Sequence, residues 1–157
     1  MILKAENITF GYNNRNILNN ISLSLPENKI IGLFGDSGCG KTTLCKIISG
    51  YISSYEGNVT IDDKTIEDKG VYPVQLIFQH PEKTMNPRWY MNDILKESWN
   101  PSKELKDNFG LKENWMRRWP NELSGGELQR FSIIRALNPK TKFIIADEIS
   151  TMLDSVT

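Results

Sequence analysis

The chain has 157 residues, enough for one domain of common size with a core that excludes water. Its 19 Lys and Arg balance 19 Asp and Glu, so no global field recommends nucleic acid or an anionic membrane surface as a partner. No apolar run approaches the roughly 20 residues of a membrane-spanning helix. Met1 to Glu6 lack the basic-then-apolar pattern of a secretory signal, and Cys39 and Cys45, without metal-ligand spacing, read as reduced thiols. A soluble single domain in the cytosol is expected.

Leu3 to Phe10 and Ile17 to Leu25 read as strands, the second from the alternation of Ile21, Leu23 and Leu25. Pro26-Glu27-Asn28-Lys29 is a turn, and Ile30 to Phe34 is apolar enough for a buried strand. A glycine-rich loop follows. Thr42 to Ser49 then has helical spacing, with Leu44, Ile47 and Ile48 on one face and Gly50 placed to end it. Gly57 to Ile61 and Val74 to Phe78 predict further strands, the second buried on both faces. Pro81 to Pro120 is rich in Trp, Asn, Lys and Glu with scattered helical periodicity, and predicts a helical subdomain of about residues 81–122. Ser124 to Leu137 is a helix closed by Asn138-Pro139, and Lys142 to Ala146 a short buried strand ending in Asp147-Glu148. There is no internal repeat and no low-complexity tract.

Gly35-Asp36-Ser37-Gly38-Cys39-Gly40-Lys41-Thr42 fits G-x-x-x-x-G-K-[ST] and lies between an apolar run and a helix, as its mechanism demands. Glycines let successive backbone N–H groups curl toward one point, and the helix N-terminus adds positive potential. Lys41 is placed to reach the β and γ phosphates of a nucleoside triphosphate, Thr42 to ligate Mg²⁺, and Thr43 joins Gly35 to Thr42 as a nucleotide-binding residue. Phe143 to Ala146 ends in Asp147, the arrangement that holds Mg²⁺ from a second side in P-loop NTPases, and Glu148 beside it has the chemistry to orient or deprotonate water. Leu123-Ser124-Gly125-Gly126-Glu127 opens a helix whose first turn holds two glycines, either a simple cap or a second phosphate-binding terminus.

Together the three motifs resemble the ATP-binding cassette (ABC) ATPases, through nearly the whole chain. The resemblance implies an α/β fold: a P-loop NTPase core with an N-terminal antiparallel β subdomain and an inserted helical subdomain. It implies ATP and Mg²⁺ as cofactors. By the same resemblance Tyr12 is the aromatic that stacks on adenine, Gln79 the glutamine that senses Mg²⁺ and the attacking water, and Asp154 part of a loop that crosses to a partner ATPase. That loop, Ser150-Thr151-Met152-Leu153-Asp154, departs from the family pattern at Ile149 and Met152, where proline and alanine are usual. In this family Ser124, Gly125 and Gly126 of one subunit close over the ATP of another, which implies a second ATPase subunit, identical or paralogous.

His80-Pro81-Glu82-Lys83-Thr84-Met85-Asn86-Pro87-Arg88 is similar to the importer subgroup for di- and oligopeptides, nickel and metal-chelator complexes. That implies transmembrane permease subunits at the cytoplasmic membrane face, indirectly a substrate-binding protein, and no nucleic acid. His80 reads as a solvated loop residue rather than a metal ligand. Trp89, Trp99, Trp115 and Trp119 read mostly as core. The family continues past Asp154 with a helix, another core strand and a switch histidine, so the C-terminal part is expected to be missing, in a fragment or a truncated product with impaired turnover. A non-transport ABC protein and a binding-only remnant stand as alternatives.

Overall fold

The computed structural model describes residues 1–13, 15–53, 55–67 and 69–147. It divides into two compact units, Met1–Leu76 and Ile77–Thr157.

In the first unit β1 (Ile2–Tyr12) and β2 (Arg15–Pro26) make a long antiparallel hairpin, from Ile2 opposite Pro26 to Tyr12 opposite Arg15. β3 (Glu56–Ile61) pairs antiparallel with the other edge of β1, and β4 (Lys64–Thr65) with β3, giving the order β2-β1-β3-β4. Leu3 and Ala5 point into the core at odd positions, yet the next buried residue is Ile8. The parity flips because the ladder carries an irregularity between Ala5 and Ile8, where Asn7 adopts φ 55° and its N–H donates to Ser22 Oγ at 2.9 Å. An extra residue on one strand turns every following side chain to the other face, and Asn tolerates the left-handed backbone. Helix α1 (Lys41–Ile48) buries Leu44, Cys45, Ile47 and Ile48, the expected face with one addition.

Ile30 to Phe34 does not form the expected buried strand. The segment has no regular structure, Ile30 and Ile31 are exposed, and Phe34 is 93% exposed with its ring folded over the bare backbone of Gly32. Among the described residues the sheets contain only β1 to β4 and β5 with β6, so no strand pairs with this run. Apolar composition gives a two-faced buried strand only where neighbours and covering layers exist.

β5 (Val74–Ile77) crosses into the second unit at Ile77, and β6 (Phe143–Ala146) joins it there, with the Asp147 N–H donating to Ile77 O at 3.0 Å. β6 starts one residue later than expected and is not buried throughout: Phe143 and Ile145 are half-buried, Ile144 and Ala146 exposed. One covered face gives that alternation.

The other regular elements described in the second unit are helical: a 3₁₀ turn at Pro81–Thr84, α2 (Met91–Ser98), α3 (Lys103–Asn108), 3₁₀ turns at Glu113–Arg117 and Pro120–Glu122, and α4 (Gly125–Ala136). Its core gathers Met91, Ile94 and Leu95 of α2, Trp115 and Met116, and Leu128, Phe131 and Ile134 of α4. Of the four tryptophans, Trp115 is core and Trp99 is held by an Nε1–H bond to Ile134 O at 2.9 Å. Trp89 and Trp119 are exposed, and Trp119 stacks on Tyr90 at 5.3 Å between centroids. Among the described residues no helix is long and apolar enough to cross a membrane.

Candidate functional site

In the first unit, residues 35–40 follow the irregular Ile30 to Phe34 segment as a loop, exposed as far as Cys39 and turned by a Cys39 N–H bond to Asp36 O at 3.3 Å. Gly40 enters α1 at φ 101°, and a Cβ there would stand 2.9 Å from Leu18 Cδ2 and 3.0 Å from Ile17 Cγ2. Only glycine allows both that backbone and that approach to β2. The Lys41 ammonium folds back and donates to Gly35 O at 2.7 Å and Asp36 O at 2.8 Å, so it stands over the loop it follows.

Helix α1 has no side-chain cap and no acidic residue in its first turn. Its first N–H groups therefore meet no carboxylate from the helix's own first turn, where one would offset the positive end of the helix dipole. Thr42 is exposed and Thr43 half-buried on this turn, while Asp36, Ser37, Gly38 and Cys39 form the exposed crown. An ammonium, a helix terminus and a hydroxyl side by side are the donor set that a phosphate chain with its cation requires. Tyr12 is half-exposed at the end of β1, its ring nearly perpendicular to that of Phe10 with centroids 4.7 Å apart.

The second unit carries the other candidates. Gln79 follows β5 and Asp147 follows β6, both half-buried, and the Asp147–Ile77 backbone bond brings the two strand ends to one edge. Glu148 and Asp154 lie outside the described residues. Ser124 is the N-cap of α4, as its sequence position suggests, but its groups are engaged locally: Oγ accepts from Glu127 N–H at 3.3 Å and Ser124 N–H donates to Glu127 Oε2 at 2.7 Å. This is a reciprocal capping box. The backbone bond from Ser124 is the main cause that holds the Glu127 carboxyl below its ordinary range, with Arg118 and Lys112 adding attraction. A phosphate approaching Ser124, Gly125 and Gly126 thus meets a helix end already answered by a carboxylate.

His80 is exposed, with Nδ1 3.3 Å from Glu82 Oε1, and no group of three His, Cys, Asp or Glu gathers for a metal among the described residues. Two residues with evident structural roles were not singled out by pattern. Glu127 had a readable signal, the S-x-x-E spacing from Ser124. Arg135 had none, because its partners Thr84 and Glu97 are distant in sequence.

The sequence pattern of the family described as ABC transporter matches residues 18–151. The nickel import system ATP-binding protein NikE of Staphylococcus aureus strain bovine RF122 / ET3-1 is 33% identical over 99% of this chain and 69% of its own length. NikE of strain N315 is 32% identical over the same shares. Among solved structures, an ATP binding subunit of an ABC transporter superposes with a TM-score of 0.83 at 22% identity, over 99% of this chain and 69% of that one, which establishes the fold. The ATP-binding cassette MJ0796, a dimer in a post-hydrolysis state bound to ADP and Pi, gives 0.77 at 25% identity over 98% of this chain and 76% of that one. The chain belongs to the ABC transporter family, and its α/β fold is that of the family's ATPase domain.

Proposed function

We propose that this chain is the ATP-binding and ATP-hydrolysing subunit of an importer, with nickel, metal-chelator complexes or peptides as the cargo class. The observation that carries the reading is the Lys41 ammonium standing over the Gly35 to Gly40 loop at the uncapped start of α1. Phosphates of ATP exchange the loop carbonyls for themselves as partners of Lys41, a trade that favours the anion because a charged acceptor bonds an ammonium more strongly than a neutral one. Tyr12 is the aromatic assigned to stack on the adenine, a reading that its exposure at the end of β1 supports.

Thr42 and Asp147 each carry an oxygen ligand of the kind that Mg²⁺ prefers, with Gln79 as the third residue assigned to that ion, and the donor chemistry fits it. When bound, the ion neutralises charge on the phosphates. Gln79 and Glu148 are the residues for the attacking water, Gln79 orienting it and Glu148 accepting its proton. Ser124, Gly125, Gly126 and Asp154 face a second ATPase subunit, identical or paralogous, so that turnover belongs to the pair. The NikE relatives are named for nickel import, which supports transmembrane permease subunits as further partners, a place at the cytoplasmic membrane face, and indirectly a substrate-binding protein. Within this reading about residues 81–122 form the family's inserted helical subdomain.

Calorimetric titration with ATP and Mg²⁺, followed by phosphate release with and without candidate permease subunits, tests the reading. Affinity that falls by at least about tenfold in Lys41→Ala and release that rises with the permeases support it. An absence of ATP binding by the unaltered chain overturns it.

A further inference from the structure

Helix α4 carries the Ser124 cap at one end and Arg135 in its last turn. The Arg135 guanidinium leaves the helix in two directions. Nη1 donates to Thr84 O at 3.2 Å, at the end of the 3₁₀ turn that starts two residues after Gln79, and Nη2 donates to Glu97 Oε2 at 2.8 Å on α2. That turn is closed on itself by Thr84 Oγ1–H donating to Pro81 O at 2.9 Å, so it moves as a piece.

The C-terminal ends of α2 and α4 are already fastened together. Trp99 Nε1–H donates to Ile134 O at 2.9 Å, Ser98 Oγ–H to Arg135 O at 3.0 Å, and Asn138 Nδ2–H to Ser98 O at 3.0 Å. Arg135 adds the Pro81–Thr84 turn to this pair. The task suits arginine, whose planar fork holds two acceptors at a fixed separation and stays charged, whereas a lysine is a single mobile point charge. The arrangement has a cost, since Arg135 Nε is buried with no hydrogen-bond partner among the described residues. A buried donor left unmade is disfavoured, and it persists where other bonds fix the side chain.

We propose that Arg135 is a positioning residue for the ATP-dependent work of this chain: it passes a displacement of the segment after Gln79 to α4 and so to Ser124 at the helix's far end. A helix of twelve residues is a stiff lever about 18 Å long. A shift taken up by its last turn therefore moves its first. The inference rests on the proposed roles of Gln79 and Ser124 in the nucleotide site, and it assigns the part that joins them.

Hydrogen exchange on the full chain, with and without Mg-ATP, tests it, with Arg135→Lys and Glu97→Gln as variants and urea unfolding as the control for folding. In the unaltered chain, ATP protects amides of residues 80–85 and of 124–130 together. In Arg135→Lys the affinity for ATP stays within about threefold, because the phosphate loop is untouched, and protection at 80–85 persists while that at 124–130 falls by at least about half. Glu97→Gln, which weakens one arm of the fork, falls between. If Arg135→Lys fails to fold, Glu97→Gln decides alone. Joint protection surviving in the folded variants, or ATP binding by the unaltered chain with no change at 80–85, overturns the proposal. An unaltered chain that does not bind ATP overturns the nucleotide reading itself, and the lever falls with it.

Discussion

The Lys41 ammonium bonds the Gly35 carbonyl at 2.7 Å, across the loop that the two residues bracket. The contact is exposed, so it holds the side chain over the Gly35 to Gly40 loop without contributing much to folding. Lys41→Ala should therefore separate binding from stability. A hydrogen bond to a charged group is worth about 1.5 to 3 kcal/mol, so calorimetry should show ATP affinity about 10- to 150-fold weaker, with the melting temperature nearly unchanged. Unaltered affinity would remove the phosphate-loop assignment.

Glu148→Gln should keep ATP affinity and lose most phosphate release, because an amide cannot take the proton of the attacking water. Release measured beside binding, with the partner subunits present, checks this. Turnover at the parental rate strikes Glu148 from the catalytic set.

The Ser124–Glu127 capping box gives α4 a pH dependence whose sign follows from its cause. The Glu127 carboxyl is held below its ordinary value of 4.5, chiefly by the backbone N–H of Ser124, so the ionised form is favoured in the folded state. Its contribution is present above pH 4.5 and is lost as pH falls through the lowered value. Thermal unfolding between neutral pH and about pH 3 should thus fall less steeply for Glu127→Gln than for the unaltered chain. Ser124→Ala should lower stability by about 1 kcal/mol at neutral pH, the usual worth of an N-cap.

Gly110 has φ 66°, and a Cβ on it would lie 2.9 Å from Arg130 Nη1, which donates to Phe109 O at 3.0 Å. Gly110→Ala combines a left-handed backbone penalty of about 1 to 2 kcal/mol with displacement of that guanidinium. A melting temperature lower by several degrees is expected, at about 2–4 °C per kcal/mol for a chain of this size. No shift would mean that Arg130 yields without cost.

Gln129 is fully buried in α4, and neither its Oε1 nor its Nε2 has a hydrogen-bond partner among the described residues. Replacing a buried unsatisfied amide by an apolar side chain of similar length removes a desolvation cost of about 1 to 3 kcal/mol. Gln129→Met should accordingly raise the urea midpoint. A lower midpoint would show that the amide is satisfied in solution.

Short-range signals specify what a few consecutive residues build: the glycine-rich loop from Gly35 to Thr42, the capped start of α4, the strands β1 and β2, and the position of Asp147 after a strand. These are set by backbone conformation, hydrogen bonds spanning three or four residues, and side-chain alternation, all written locally. Tertiary structure alone decided what depends on distant neighbours. Ile30 to Phe34 is as apolar as a buried strand yet is exposed, since burial needs partners that composition cannot name. The four tryptophans look alike in sequence, but Trp115 lies in the core, Trp99 is bound to a carbonyl 35 residues away, and Trp89 and Trp119 face out. Arg135 joins Thr84 across 51 residues, a contact without any local signature. Such contacts are chosen when the chain closes on itself, because only then do the surrounding elements fix which polar groups are left to pair and which apolar faces are covered.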